Sequence, residues 1–403
     1  MERKLQRRTI LLTVVGVSVL VLAGLAFKGT STSSKPTPTT PTAPHLDLYA
    51  NTGAGNSGVP VGGILPNGSG WVLTTRGLEF TVDGGNTFGR MDYPIPVTTI
   101  TDFEFTGQHD VVAGVKDFLP IIKVSDDAGT TWKSVTLPVG SGNAGFARLI
   151  TKDKTIIGMI VTDVSSSNFS DAEWYATSDN GATWTHHSMP AGGVITQAGG
   201  ILWLTAGPQL TSLYESVDLG MTWLKVSIPT AASNNGAALT VPGILKNGNV
   251  VLVATTPNVG SVATTSSGHA PAPPNVTIYV SSNSGASWEP LSYMSIDGQL
   301  GSGIPIASQI MGDKIWLGVA PHGRILLVSS DGTLTTTSSL GALYSGDWID
   351  SIEASGNSSA WVAATKSECP SGKTSCRQVH TLIKTVDNGK TWSFVDLARM
   401  PTS

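Results

Sequence analysis

Seven short apolar runs recur along the chain and dominate its pattern of hydrophobic and polar positions. They are WVLTT from Trp71, VVAGV from Val111, IIGMIV from Ile156, LWLTA from Leu202, VVLVAT from Val250, IWLGVA from Ile315 and AWVAAT from Ala360. Near-continuous apolar runs of this length are typical of strands that are covered on both faces. A candidate partner strand precedes each run, as residues 99–105 do before Val111. The pattern predicts an all-β protein made of seven similar sheets.

A polar motif of eight residues, S/T-x-D-x-G-x-T-W, recurs between these strands. It is clear at residues 81–88, 125–132, 177–184, 216–223 and 385–392, softened at 281–288 and degenerate at 329–332. An Asp side chain accepts hydrogen bonds from nearby backbone N–H groups, and glycine supplies a positive φ. The motif therefore predicts a self-closed hairpin turn, which we call the box turn. We assign its acidic or amide residue a structural role: Asp83, Asp127, Asp179, Asp218, Asn283, Asp331 and Asp387.

This motif resembles that of the Asp-box, or BNR-repeat, family of β-propellers. The family includes sialidases, xyloglucanases, sortilin-type receptors and photosystem II assembly factors of the Ycf48 type. The resemblance covers residues 58–397, and copies spaced by about 40 to 65 residues match one four-stranded blade each. It implies a seven-bladed β-propeller. In repeat style the chain is most similar to the assembly factors, a likeness that concerns the scaffold and not the biological process.

The N-terminus carries a membrane signal. Arg3, Lys4, Arg7 and Arg8 precede an uncharged apolar run at residues 9–27. As a helix the run would span about 28 Å, close to the hydrocarbon thickness of a bilayer, and the flanking charges favour a cytoplasmic N-terminus. We predict that residues 1–28 form a basic tip and an uncleaved transmembrane anchor. The alternative is a signal peptide cleaved near Gly24-Leu25-Ala26, which would release a secreted protein.

Residues 29–57 form a linker rich in Ser, Thr and Pro, followed by the propeller at 58–397 and a tail at 398–403. The tract at 29–44 contains only Gly, Thr, Ser, Lys, Pro and Ala, a composition that cannot bury a core. We expect it to act as a stalk that places the propeller outside the cytoplasm. His45–Ala50 is a candidate extra strand for closing the ring.

The charge balance argues against a nucleic-acid partner. The whole chain has a formal charge of -4, and the part after residue 28 keeps 19 basic and 27 acidic residues. Binding to phosphates requires a basic surface, which this acidic composition does not provide. We expect a protein or glycan partner at the cell envelope instead, and no cofactor.

The two cysteines, Cys369 and Cys376, lie in the segment SECPSGKTSC. In an exported chain two cysteines this close predict a disulfide that clips one loop, with two reduced thiols as the alternative. Their spacing is too long for a zinc knuckle, and no complementary His or Cys pair accompanies them. No metal site is predicted.

Recognition is expected on the face opposite the box turns, where variable loops join the strands. The link GALYSGDW contains Tyr344, Asp347 and Trp348, and Arg324 lies in the neighbouring turn. Tyr, Trp and Arg are enriched at binding hot spots, so we predict these four residues as contacts. The alternative is that Tyr344 and Trp348 only pack between the last two blades.

Two functional hypotheses remain from the sequence. The first is a non-catalytic scaffold that binds a protein or glycan. The second is a glycoside hydrolase resembling the sialidases, which would need an Arg triad, a Tyr–Glu pair and an acidic residue. No Arg-Ile-Pro tripeptide of the sialidase type occurs. The carboxylates available for a glycosidase pair are read as turn and loop residues, and no catalytic residue is assigned: Asp102, Asp117, Asp163, Asp297, Asp347 and Asp350.

Overall fold

The computed structural model describes most of the chain between residues 62 and 395. The described ranges are 62–64, 70–74, 77–90, 95–96, 99–105, 109–127, 129–138, 144–152, 155–163, 172–207, 210–229, 237–256, 276–294, 306–319, 323–340, 348–355, 358–368 and 377–395. All of them lie in one compact unit, residues 43–403. In these ranges we find no helix of the length and apolarity that crossing a bilayer requires. The predicted anchor, the linker, the strand at 45–50 and both cysteines lie outside the described residues.

The described residues form seven antiparallel sheets, each built from consecutive strands, which confirms the predicted seven-bladed β-propeller. In chain order the blades are β1 (Gly62–Ile64), β2 (Gly70–Thr74), β3 (Gly77–Thr81), β4 (Gly89–Arg90); β5 (Ile100–Phe105), β6 (Asp110–Lys116), β7 (Leu119–Ser125), β8 (Lys133–Val135); β9 (Ala144–Lys152), β10 (Thr155–Asp163), β11 (Ala172–Ala176), β12 (Thr185–Ser188); β13 (Gly193–Ala198), β14 (Ile201–Ala206), β15 (Ser212–Ser216), β16 (Leu224–Val226); β17 (Ala238–Leu239), β18 (Gly243–Ile244), β19 (Val250–Thr255), β20 (Val276–Ser281), β21 (Glu289–Met294); β22 (Ala307–Met311), β23 (Lys314–Val319), β24 (Arg324–Ser329), β25 (Leu334–Ser339); and β26 (Trp348–Ser355), β27 (Ser359–Glu368), β28 (Arg377–Thr385), β29 (Ser393–Phe394).

The core lies between the blades. The second strand of each blade carries the apolar run noted above, and in β14 and β19 every residue is buried. Clusters of buried side chains join neighbouring sheets, as where Val111 and Ile122 of the second blade pack with Met159 and Tyr175 of the third. In the fifth blade both β17 and β18 pair with β19, so the inner strand is interrupted.

Each box turn is closed by its own side chains, as the fourth blade shows. Asp218 accepts hydrogen bonds from the Thr222 backbone N–H at 2.9 Å and from the hydroxyl groups of Thr222 and Ser216 at 2.6 and 2.8 Å. The Gly220 N–H donates to the Ser216 hydroxyl oxygen at 2.8 Å. The same bonds form around Asp83, Asp127, Asp179 and Asp387, and Asn283 repeats them with its amide. Around Asp331 the turn is tighter, because the carboxylate reaches the N–H of Thr333.

The box turn of one blade also packs against the blade before it. Gly220 lies against the indole of Trp174, and the Trp174 Nε1–H donates to the Leu219 carbonyl oxygen at 2.7 Å. Gly285 and Gly389 lie in the same way against Trp203 and Trp316. A side chain at Gly220 or Gly285 would displace the indole, whereas one at Gly389 would meet Trp316 at ordinary contact distance. The repeated glycine therefore serves contact between blades as well as the turn.

The ring closes by the same contact between the first and seventh blades. Gly85 lies against Trp361, and the rings of Phe88 and Trp361 have centroids 6.4 Å apart. The Lys384 ammonium donates to the carbonyl oxygens of Gly84 and Gly85 at 3.2 and 2.9 Å and to Asn86 Oδ1 at 3.0 Å. Within the described residues, each of these two blades is built from four strands that are consecutive in the chain. Side-chain and backbone contacts between the blades, rather than a strand exchanged between them, therefore close the described part of the ring.

Leu219 is an unfavourable residue for its position in the box turn. Its φ is 59°, in the left-handed region, where the other turns have Gly84, Asn180, Ser284 and Asn388, and its side chain is 46% exposed. Leucine tolerates this region poorly, whereas asparagine tolerates it well. We expect Leu219→Asn to raise the free energy of unfolding by about 0.5 to 1 kcal/mol in urea denaturation.

The matched control for this substitution is Ser284→Leu, at the equivalent position of the next blade, where φ is 56°. It should lower the stability by a similar amount. Equal midpoints for Leu219→Asn and the wild type would show that the turn imposes no such preference.

The register of the last blade bears on the cysteines. The pairing of β27 with β28 extends to Glu368 opposite Arg377, the residues that immediately precede Cys369 and follow Cys376. Cys369 and Cys376 lie outside the described residues, and their disulfide stays a prediction. We expect a bonded pair in the non-reduced protein, seen as a 2 Da lower mass of the peptide containing both. Quantitative thiol labelling before reduction would contradict it.

Candidate binding site in the central channel

Charged side chains gather on the inner strands that border the central channel. Asp102 and Glu104 lie on β5 of the second blade, Arg148 on β9 of the third, and Glu353 on β26 of the seventh. Gln309 lies on β22 of the sixth blade. These five residues, which we call the channel cluster, come from four blades.

Strand alternation explains why charged groups occupy these positions. On β5, Phe103 is buried with residues of the first blade, so Asp102 and Glu104 point to the other face of the strand. On β26, Ile352 and Ala354 are buried against the sixth blade, which leaves Glu353 on the opposite face. The charged residues thus alternate with core residues on the strands nearest the axis.

Two members of the cluster are held by hydrogen bonds. The Asp102 carboxylate accepts from the N–H of Phe103 and from the N–H of Leu149 on the third blade, both at 2.8 Å. Glu353 accepts from the Gln309 amide at 3.4 Å, and the same amide accepts from the Ala354 N–H. Asp102 and Gln309 therefore tie neighbouring inner strands together.

The carboxyl groups influence one another across the channel. Burial, together with the smaller effects of the charges of Asp102 and Glu353, raises the pKa of Glu104 to about 8. The first blade lies between those of Glu104 and Glu353, and its inner strand contributes Gly62 and Gly63, which have no side chains.

The other two pKa values are also raised. Burial raises the pKa of Glu353 to about 7, with Arg148 lowering it and Asp102 raising it. Burial raises the pKa of Asp102 to about 6, against the lowering effects of Arg148 and the two N–H donors. The Arg148 guanidinium thus acts as a countercharge for Asp102 and Glu353, but not for Glu104.

Glu104 and Arg148 are the unsatisfied members of the cluster. Neither makes a hydrogen bond or an ion pair with any residue in the described ranges. Glu104 is closely surrounded by protein, yet part of its surface stays exposed. A polar group in this situation retains hydrogen-bonding capacity that a ligand can use.

The channel cluster has no arrangement suited to a metal ion. Among the described residues, no group of three or more His, Cys, Asp or Glu side chains converges as metal ligands do. The carboxyl groups are near enough to shift each other's pKa but are spread over separate blades.

The predicted contact residues lie elsewhere in the blades. Arg324 begins β24 opposite Val319 and is half-buried, and Trp348 begins β26. Both strand ends are remote from the box turns, on the predicted recognition face. Tyr344 and Asp347 fall outside the described residues. The channel cluster is closer to the box turns, because β5 and β26 end one and two residues after Glu104 and Glu353.

The interpretation of Asp102 as a turn or loop residue is wrong. Asp102 lies within β5 and is buried, and Asp163 and Asp350 also lie in strands. Only Asp117 occupies a tight turn, between β6 and β7, with a φ of 52°. Asp297 lies outside the described residues.

Sequence reasoning also missed Glu104, Arg148 and Glu353. The available signal was a charged residue at every second position of an otherwise apolar inner strand, as in ITDFEF. Such a residue must be accommodated beside the core, and the inner strand places it near the axis.

The described residues do not assemble a sialidase site. Arg90 is exposed on β4, the outer strand of the first blade. Arg148 lies on β9, the inner strand of the third blade, and Arg324 lies on β24, the third strand of the sixth blade. A Tyr–Glu pair exists, since the Tyr175 hydroxyl donates to Glu173 at 2.7 Å. Tyr175 is buried between the second and third blades, and that burial raises its pKa, which disfavours the phenolate a nucleophile requires.

Comparison with known proteins identifies the fold. No family model matches the chain, and no curated protein matches it in sequence. Among solved structures it is similar to a chain from a study of two prolyl endopeptidases, at 12% identity, with coverage of 81% of this chain and 48% of that chain and a TM-score of 0.51. YCF48 bound to D1 peptide is also similar, at 16% identity, with coverage of 75% of this chain and 91% of that chain and a TM-score of 0.48. An ulvan lyase bound to a GlcA-Rha3S saccharide is similar at 11% identity, with coverage of 90% of this chain and 100% of that chain and a TM-score of 0.49. At these identities the similarity is one of fold.

Proposed function

We propose that the protein is a non-catalytic scaffold that binds a protein or glycan at the cell envelope, with the channel cluster as part of its binding site. The observation that carries this proposal is the group of polar side chains from four blades that includes the unsatisfied Glu104 and Arg148. Buried polar groups are normally paired, so an unpaired acid and base in one channel favour a ligand that pairs with them.

The predicted contact residues extend this site toward the opposite face. Trp348 and Glu353 lie on the same strand, five residues and roughly 16 Å apart. Arg324, Tyr344, Asp347 and Trp348 are proposed as contacts for the part of the ligand outside the channel. A ligand that enters from this face would meet Trp348 first and Glu353 next.

The scaffold function is tested by binding, with two sets of variants. The propeller is exposed to a glycan array and to detergent-solubilised envelope proteins. Each captured ligand is then tested for binding to two double variants. One combines Glu104→Gln with Arg148→Gln, and the other combines Arg324→Ala with Tyr344→Ala. We expect both pairs to weaken capture while the melting temperature shows that each protein is folded. Capture that neither pair weakens would contradict the proposed site.

A second candidate function, hydrolysis of a glycosidic bond, is favoured by one observation. The carboxyl groups of Asp102, Glu353 and Glu104 have pKa values of about 6, 7 and 8. Neighbouring acids with separated pKa values suit a general acid paired with a base or nucleophile. Turnover of chromogenic glycosides that Glu353→Gln and Glu104→Gln each abolish would establish this activity. The scaffold proposal predicts no turnover by the wild type.

The location is part of the proposal. We propose that residues 1–28 anchor the protein with its N-terminus in the cytoplasm and its propeller outside, with cleavage and secretion as the alternative. A tag placed after residue 403 should stay in carbonate-washed membranes and be removed by protease added to intact cells. Recovery of the intact tagged propeller from the medium would support secretion instead.

A further inference from the structure

The channel cluster carries an excess of negative charge that the protein does not neutralise. Asp102, Glu104 and Glu353 face one cationic group, Arg148. The strands β1, β13, β17, β18 and β22 contribute no Asp, Glu, Lys, Arg or His. The described inner strands also carry Asp350 on β26 and Lys152 at the end of β9, so their four acidic residues outnumber their two basic residues.

Hydrogen bonding within the cluster also leaves one carboxyl group, that of Glu104, unsatisfied. Asp102 has two N–H donors and Glu353 has the Gln309 amide, whereas Glu104 has no donor in the described ranges. Arg148 affects Asp102 and Glu353 electrostatically, but it does not appear among the influences on Glu104. Glu104 is thus a closely surrounded acid without a hydrogen-bond donor or a nearby cation.

We propose that the channel binds an organic cation, specifically the ammonium or guanidinium group of a lysine or arginine side chain on a partner protein. The inference rests on the proposed scaffold function and names its partner class. A cation beside Glu104 and Glu353 would supply the missing countercharge and would donate hydrogen bonds to both. The spread of the carboxyl groups over separate blades suits a side chain with several donors better than a metal ion.

Proton linkage gives this proposal a distinctive signature. A cation binds the ionised carboxylates, so Glu104 and Glu353 must lose their protons when it binds. Binding should release protons, and the affinity should rise by roughly two orders of magnitude or more between pH 6 and pH 8. Sugar hydroxyl groups have no net charge, so a neutral glycan would not show this rise.

The test uses capped pentapeptides that differ only at the central residue, which is lysine, arginine or glutamine. Binding to the full-length protein in detergent is followed by calorimetry at pH 6, 7 and 8, in two buffers of different ionisation enthalpy. We expect the lysine and arginine peptides to bind and to release protons, the glutamine peptide not to bind, and Glu104→Gln to weaken binding by roughly tenfold or more. Glu289→Gln removes the same charge from the exposed outer strand β21 and should change little.

The outcomes separate this inference from the scaffold function. Equal binding of all three peptides, equal effects of Glu104→Gln and Glu289→Gln, or no binding at millimolar peptide would each overturn it. If an array ligand without a cationic group were then weakened by Glu104→Gln, the scaffold would stand and its ligand class would be corrected. If no array ligand depended on Glu104 or Arg148, the channel would fail as a site altogether.

Discussion

The wild-type protein is expected to lose about 2 to 4 kcal/mol of unfolding free energy between pH 5 and pH 8, and Glu104→Gln is expected to remove about half of that loss. The pKa of Glu104 is raised to about 8 and that of Glu353 to about 7, in each case chiefly by burial. In this pH window the folded protein holds protons that the unfolded chain has already lost. Stability therefore falls as the pH rises from the unfolded pKa near 4.5 toward the folded values.

Urea denaturation at pH 5, 6.5 and 8 measures this effect. Glu104→Gln removes the carboxyl group of the cluster whose pKa is raised furthest, so the variant should be the more stable protein at pH 8. Glu289→Gln is the matched control, since its side chain is exposed on β21. A parallel decline in the wild type and in Glu104→Gln would show that these carboxyl groups do not control the pH dependence.

Gly220→Ala is expected to lower the free energy of unfolding by about 3 kcal/mol. The φ of Gly220 is 84°, which costs an alanine about 1 kcal/mol, and the added methyl group would overlap the indole ring of Trp174. Trp174 is fully buried between the third and fourth blades, so it has little room to move. The remaining 2 kcal/mol or so is the cost of that steric overlap.

Gly200→Ala separates the two contributions. Gly200 has a φ of 83° in the turn between β13 and β14, and an added methyl group would have no neighbour within 4 Å. This control should cost only the backbone term, about 1 kcal/mol. Midpoints that shift equally in urea would refute the interlocking of box turn and preceding blade, whereas a larger shift in Gly220→Ala supports it.

The strands and turns were predictable from the sequence because their causes are local. An apolar run such as LWLTA at Leu202 forms β14, a strand covered on both faces of its sheet. The nearly continuous apolar residues of the run predict that covering without reference to any other part of the chain. The box turn around Asp218 forms from side chains at most four residues apart. Repetition of these two signals was sufficient to predict seven blades.

The channel cluster was not predictable in the same way. Asp102, Arg148 and Glu353 are separated by tens to hundreds of residues, and each looks like an ordinary polar residue in its own strand. Their pKa shifts require burial and mutual charge, neither of which exists until the ring has closed.

The sequence by itself determined the repeat, the closed turns, the acidic balance after residue 28 and the apolar segment at 9–27, because each depends on residues adjacent in the chain. Only the tertiary structure decided that Asp102 is a buried strand residue, that the charge of Glu353 raises the pKa of Glu104 on another blade, and that Lys384 joins the last blade to the first. These contacts link residues distant in the chain, and their energies depend on the low-dielectric surroundings that the packed ring creates.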